Sequence, residues 1–308
     1  MQKNPPSKSA CQTLMLVNAA SPQIPHPHQS TPTHLLHTIP MSTLIQSLQA
    51  KWFGLTSNLC FDNGLFIVLQ RLFCRQLSLL TFKKNQLTFI VDYSADDHNG
   101  IRYCLSADMY SRYYRHMDRS QPLRVLDLGA NTGGFVLSLV DAGFRIEKAV
   151  SVEMNPSAFN RLKFNLDHNE LTTITPLNAA ATSTIGTVQI EAIKGNTGQS
   201  IYHQSTQNTL TIPTTTIDHL VASHFPESNP AAITPDLDLI KIDIEGAEYE
   251  ILFSESCQSV RRFKHILIEI HPHKEFPTEK LIAALQKFGF KNTTDANTRD
   301  ADVYYFQQ

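Results

Sequence analysis

The sequence predicts an α/β fold: a doubly wound, mostly parallel sheet preceded by a small N-terminal extension of helix and strand. Two observations carry that prediction. From residue 121 onward, short and nearly continuous apolar runs alternate with stretches of helical periodicity, the pattern of a parallel sheet covered on both faces. Within it, "VLDLGANTGGF" at 125–135 runs as a strand past Asp127, turns through glycine and reopens as a helix.

The strands predicted in order are 124–129, 148–154, 174–179, 237–244, 265–270 and 302–307, with helices at 133–142, 156–168, 246–254 and 278–288. Residues 182–217, rich in Thr, Gly and Gln, read as short β pieces and turns inserted after the third strand. Upstream, Leu44, Ile45, Leu48, Trp52, Leu65, Val68, Leu69, Leu72 and Leu77 recur at helical intervals, so 42–80 reads as one or two helices. "QLTFIVDYS" at 86–94 reads as a strand, "ADDHNG" as a polar turn, and 101–117 as a short strand or helix. The division is therefore a leader over 1–41, a helical and β extension or cap over 42–117, and the main domain over 118–308.

The leader is rich in Pro, Ser, Thr, Gln and His with little to bury, which predicts disorder. Lys3 and Lys8 before "LMLV" only faintly mimic a secretory signal, and Met41 opens a more regular segment that is an alternative start. With 26 basic and 28 acidic residues, no polyanion-binding field is implied, which argues against a nucleic-acid partner. Five cysteines, far apart and without a CxxC pair, suggest neither a disulfide framework nor a zinc site and read as reduced thiols of a cytoplasmic protein. No apolar run is long enough to span a bilayer.

Gly129, Gly133 and Gly134 let the backbone turn sharply and let a ligand approach the N–H groups that open the next helix. Glu153 ends the following strand, where ligands of open parallel sheets bind and where a carboxylate accepts hydrogen bonds from both hydroxyls of a ribose. These features fit a nicotinamide cofactor or S-adenosylmethionine. Asp127, at the head of the turn, favours the second, because it reaches an α-ammonium and repels a pyrophosphate. In "KIDIEGAEYEIL", Asp243 falls at a strand's carboxyl end, while Glu245 and Glu248 lie near a first helical turn, where acids also suit the helix dipole. "LIEIHP" places Glu269 and His271 on one face of the next strand. Asp243 and His271 are candidate bases for a hydroxyl proton, His271 because imidazole titrates near neutrality. Asp243, Glu269 and His271 are equally a set able to hold a divalent metal, although their spacing does not establish one and no metal is assigned.

With "VLDLGANTGGF", "VEMNP", "NAAATSTIGTV", "GNTGQS", "PTTTID", "DLIKIDIEGAEYEIL" and "ILIEIHP" in this order, the chain resembles the FkbM family of S-adenosylmethionine-dependent methyltransferases, over residues 100–272. The resemblance implies a class I Rossmann-like sheet of seven strands whose last strand is antiparallel, and transfer of a methyl group to a hydroxyl of a sugar or secondary metabolite. It assigns Asp127, Gly129, Asn131 and Gly133 to the methionyl end, Glu153 to the ribose, and Asn178 and Ala179 to the adenine, where the acid many such enzymes carry is missing here. Asn196, Ser200 and His203 would face the acceptor, a small molecule or glycan bearing a hydroxyl. Asp243, Glu269 and His271 are the catalytic candidates. The alternatives are a non-catalytic scaffold of the same fold and, less well supported, an oxidoreductase. A nucleic-acid methyltransferase is disfavoured because "IDIEGAE" stands where a DPPY-like motif would be expected.

Overall fold

Five parallel strands form the centre of the sheet because their sequences are apolar on both faces. They are β3 (Leu123–Leu128), β4 (Ile146–Glu153), β5 (Ile174–Asn178), β9 (Leu237–Ile242) and β10 (Phe263–Glu269). In this computed structural model, which describes residues 54–107, 109–191, 209–226, 235–295 and 302–308, the sheet has seven strands in the order β11-β12-β10-β9-β3-β4-β5. β12 (Val303–Gln307) runs antiparallel to β10, as expected of the last strand. The two-residue β11 (Lys291–Asn292) beside it was not foreseen, since so short a run leaves no pattern.

Alternate residues of the strands enter two apolar layers. Leu126, Leu128, Ile240 and Ile242 pack with α5 (Ile217–His224), α6 (Glu248–Phe253) and α7 (Thr278–Lys287). Val125, Ala149, Leu239 and Leu267 pack with α3 (Gly134–Asp141) and α4 (Pro156–His168). The sheet is thus doubly wound. The chain moves outward from β3 through β4 to β5, then returns to the other side of β3 with β9 and β10, so the winding reverses between β3 and β9. The inserted β segment is a small sheet of β6 (Ala180–Ala181), β8 (Thr209–Thr215) and β7 (Gly186–Glu191). Its end differs from expectation, because Thr216 accepts the His219 N–H at 3.1 Å and so caps α5.

In the extension, helix α1 (Gly64–Phe73) leads to a hairpin of β1 (Leu79–Lys84) and β2 (Leu87–Asp92), turned at Asn85 with φ +52°. The alternation of "LLTFKK" was hidden behind the helical leucines that precede it. Helix α2 (Asp97–Leu105) replaces the expected polar turn, because Ile101, Cys104 and Leu105 give the "DHNG" run a buried apolar face. Two asparagines one helical turn apart, Asn165 on α4 and Asn169 just past its C-terminal end, join the extension to that helix. Asn165 bonds both the N–H and the carbonyl of Ile90 (2.7 and 3.1 Å), and Asn169 does the same for Thr88 (2.9 and 2.8 Å). The backbone of β2 is thereby satisfied by side chains of a helix. Asp97, buried on α2, pairs with Arg161 of α4.

Removing one member of that buried pair strands the other. Asp97→Ala is expected to lower unfolding stability by about 3–5 kcal/mol, measured by urea titration. A loss under 1 kcal/mol would mean that the pair does not anchor the extension.

Candidate active site

Beyond the carboxyl ends of β3, β4, β9 and β10, where the winding reverses, lies a cavity of about 500 Å³. One side is built from the glycine turn. Gly129 has φ +78°, and a Cβ there would stand 1.7 Å from the carbonyl oxygen of Asp243, so only glycine lets the ends of β3 and β9 approach this closely. Gly129 and Ala130 both donate their N–H groups to the Val152 carbonyl, at 3.0 and 2.9 Å. Gly133 (φ +95°) opens α3 and lies against Leu162, so it shapes the turn without lining the cavity.

Asn131 takes φ +51° and donates its N–H to Glu153 Oε2 at 2.7 Å, while its buried Oδ1 has no partner. Glu153 also accepts the Asn155 N–H at 2.7 Å. Burial pushes the Glu153 carboxyl up to about 7, although both backbone N–H groups favour its ionised form. Asn155 caps α4 by accepting from Ser157 and Ala158 (2.9 and 3.2 Å), with Pro156 at the first helical position.

Besides Gly133, three sequence candidates, Asn178, Asp127 and His271, stand elsewhere than on the cavity wall. Asn178 spends its amide on the carbonyls of Glu153 and Met154 (2.8 and 3.0 Å), leaving Ala179 and the two alanines after it as the lining. Asp127 is fully buried beneath the turn. Its register partner on β9 is Lys241, whose Nζ lies 3.6 Å from its carboxylate, and its partner on β4 is Ser151. Burial pushes Asp127 up to about 6, although Lys241 pulls the other way.

Lys241 is the residue that sequence reasoning missed. It donates to the Gly129 carbonyl at 2.7 Å and pairs with Asp243 at 3.1 Å, and it lines the cavity. The signal was a charge inside the apolar run "LDLIKI", which burial tolerates only with a partner. Tyr110, from the extension, was missed as well; it is buried, with its hydroxyl 3.5 Å from Asp243 Oδ2.

The other side of the cavity brings the catalytic candidates together. Asp243 follows β9, Glu269 ends β10, and His271 comes just after it. His271 Nδ1 lies 2.8 Å from Glu248 Oε1, and its Nε2 lies 3.3 Å from Glu245 and 3.9 Å from Glu269. Burial alone would lower the pKa of His271, but the hydrogen bond and charge of Glu248, with Glu245 and Asp243, lift it to about 9. The expectation that it titrates near neutrality is therefore corrected: a protonated imidazole has no lone pair with which to accept a proton. Burial likewise pushes Glu245 up to about 7 and Glu269 to about 8, with the charge of Asp243 adding to both. Asn196, Ser200 and His203 lie outside the described residues, as does the 1–41 leader.

A family model described as the methyltransferase FkbM domain matches residues 127–291, more than half of the chain. The chain belongs to the FkbM methyltransferase family. S-adenosylmethionine is the cofactor of this family and so of this chain. No curated protein matches the sequence. Similar solved structures include wild-type Trm5b from Pyrococcus abyssi, at 12% identity and TM-score 0.38, covering 75% of this chain and 54% of that one. TrmK from M. capricolum with S-adenosyl-homocysteine gives 10% and 0.36, covering 64% and 65%. Precorrin-6y C5,15-methyltransferase from Geobacter metallireducens gives 13% and 0.35, covering 65% and 85%. The chain thus spans about half the length of Trm5b. Likenesses this distant do not inform the acceptor. Among the described residues no helix is long and apolar enough to cross a membrane.

Gly129→Ala and Gly143→Ala separate sterics from backbone strain. Both residues have positive φ, but a Cβ at Gly143 meets nothing within 4 Å. Gly143→Ala is expected to cost about 1–2 kcal/mol by urea titration, and Gly129→Ala to cost more than twice that or to prevent folding.

Proposed function

We propose that this FkbM methyltransferase acts in the cytoplasm and methylates a hydroxyl oxygen of a small-molecule or glycan acceptor. The observation that carries the reading is a cavity lined by the glycine turn and Glu153 at one end and by Asp243, Glu245 and Glu269 at the other, with His271 beside these acids. Its volume suits a cofactor together with part of an acceptor. The described cysteines are free, which is compatible with a reducing compartment.

The residues present fit the cofactor. Glu153 uses each carboxylate oxygen for one backbone N–H and keeps lone pairs for two ribose hydroxyls. The unpartnered Oδ1 of Asn131 is an acceptor waiting for a donor such as an α-ammonium. Ala179 leaves room for a flat base. Asp127 and Gly133 act one step back, Asp127 by holding Lys241 under the turn and Gly133 by setting the start of α3. The cavity lining carries several carboxylates and a single lysine among the described residues, a field that attracts a sulfonium and repels a phosphate backbone. That field favours a hydroxyl-bearing metabolite or sugar over nucleic acid.

Bound there, the cofactor supplies an already activated methyl group, so the chain's main task is to align the acceptor oxygen with it and exclude water. Asp243 is committed to Lys241 and Tyr110, whereas the nearest cation to Glu269 is the more distant His271 Nε2, at 3.9 Å. Glu269, in the ionised form that prevails above about pH 8, is therefore assigned as the group that takes the hydroxyl proton, and Asp243 as the one that orients the acceptor.

Calorimetric titration with S-adenosylmethionine is expected to give binding that Glu153→Ala weakens tenfold or more, a loss of about 1.4 kcal/mol. Because an ionised Glu153 is the better acceptor and its carboxyl titrates near 7, affinity at pH 6 is expected to be up to about tenfold weaker than at pH 8. Glu153→Gln should flatten that slope. Against an acceptor found by screening, Glu269→Gln is expected to cut turnover about 10²–10⁴-fold with cofactor affinity unchanged. A folded wild-type chain that binds no cofactor would turn the reading to a non-catalytic scaffold.

A further inference from the structure

We propose that Asp243, Glu245 and the Nε2 of His271 bind a divalent transition-metal ion of the Mn²⁺ class at the acceptor end of the cavity. One ligand atom from each of the three residues lies within 4.8 Å of the others. Ligands about 2.1 Å from one ion stand about 3–4.2 Å apart, so a small contraction closes the set. The three come from the connections after β9 and β10, which are parallel neighbours, so the sheet fixes their separation.

The imidazole is oriented as a metal ligand would be. A carboxylate or carbonyl that takes the second ring N–H is the usual partner of a metal-bound histidine. Here that partner is Glu248, which is wholly buried and whose Oε1 accepts the Nδ1 hydrogen at 2.8 Å and the Ile244 N–H at 3.2 Å. Nε2 is thereby turned toward Glu245, at 3.3 Å. The Oε2 of Glu248 is buried without a partner, and three carboxyl groups within 3.9 Å surround one imidazole, which when ionised carry more negative charge than a single Nε2 proton neutralises. Lys241 does not make up the difference, because it is shared between Asp127 and Asp243. A dication in place of that proton does. One nitrogen with carboxylate oxygens suits Mn²⁺, Fe²⁺, Co²⁺ or Zn²⁺ better than Ca²⁺, which takes oxygen alone.

The binding site stands without the methyl-transfer reading; only its catalytic use rests on that reading. There the cation would polarise the acceptor hydroxyl. Glu269 would take the hydroxyl proton as the oxygen bonds to the methyl carbon, and the carbon–sulfur bonding pair would stay with sulfur as a neutral thioether.

The test is titration of the full chain, dialysed against chelator, with MnCl₂ while free Mn²⁺ is followed by electron paramagnetic resonance. Calorimetry with S-adenosylmethionine on the same samples reports folding and the cofactor end separately. One Mn²⁺ per chain is expected, with affinity falling about 10–100-fold in Glu248→Gln and further in His271→Ala, while Glu153→Ala binds the ion as the wild type does. His271→Gln serves if the alanine variant does not fold. No Mn²⁺ or Zn²⁺ binding by a chain that still binds the cofactor overturns the metal site and leaves the methyltransferase reading intact. Binding that is indifferent to His271 and Glu248 overturns it as well.

Discussion

The pairing of Lys241 with Asp127 under the glycine turn is the constraint on which the rest of the site depends. Both residues lie in the middle of a parallel sheet, on adjacent strands and in direct register. Neither charge is tolerable there alone. Together they form a short polar row, with Ser151 on the far side, crossing an interior that is otherwise aliphatic. Lys241 then reaches past the end of its own strand to the Gly129 carbonyl and to Asp243. One ammonium group therefore fixes the path of the turn after β3 and the aim of the acid after β9. In the proposed reading these are the cofactor end and the acceptor end of the cavity, so their relative position is set by a buried ion pair in place of a flexible loop.

That arrangement explains why so few alternatives to glycine exist at position 129. The two strand ends are drawn together until the Asp243 carbonyl occupies the place of a Cβ. The same closeness leaves Asn131 with a left-handed backbone and its N–H aimed at Glu153, so β3, β4 and β9 meet through backbone and carboxylate contacts. Strain of this kind persists only where surrounding contacts over-determine it, and here the Lys241 and Glu153 bonds do so.

How legible this was follows from what kind of interaction each element needs. The five parallel strands and the helices α3, α4 and α7 could be read from the sequence because burial on both faces, or on one helical stripe, writes a period into the chain. The Asn155–Pro156 helix start and the glycine turn are local chemistry and were equally visible. Helix α2 was hidden because its polar first turn looks like a loop until Ile101 and Leu105 are seen to pack beneath the β1–β2 hairpin. Asp243, Glu269 and His271 could be singled out as candidates because they stand at or just after strand ends. The part played by Lys241 could not be, since register between strands distant in sequence is a tertiary fact. The charge state of His271 escaped for the same reason: Glu248 approaches it from a different connection.

The acceptor end illustrates what a sheet end can hold that a loop cannot. Like charges around a cavity repel, and a flexible segment would relieve the repulsion by moving its side chains apart. Here Asp243 is held by Lys241, Glu248 by the Ile244 N–H, and Glu269 by its place at the end of β10. Burial, with the charge of Asp243 adding to it, holds the Glu245 and Glu269 carboxyls above their ordinary range, and the group presents a field that any cation entering the cavity relieves. A sulfonium cofactor meets that field from one side and a divalent ion would meet it from the other. In the proposed reading the two cations would oppose each other across the same cavity, and the acceptor oxygen, which becomes negative as its proton leaves, would gain from lying between them.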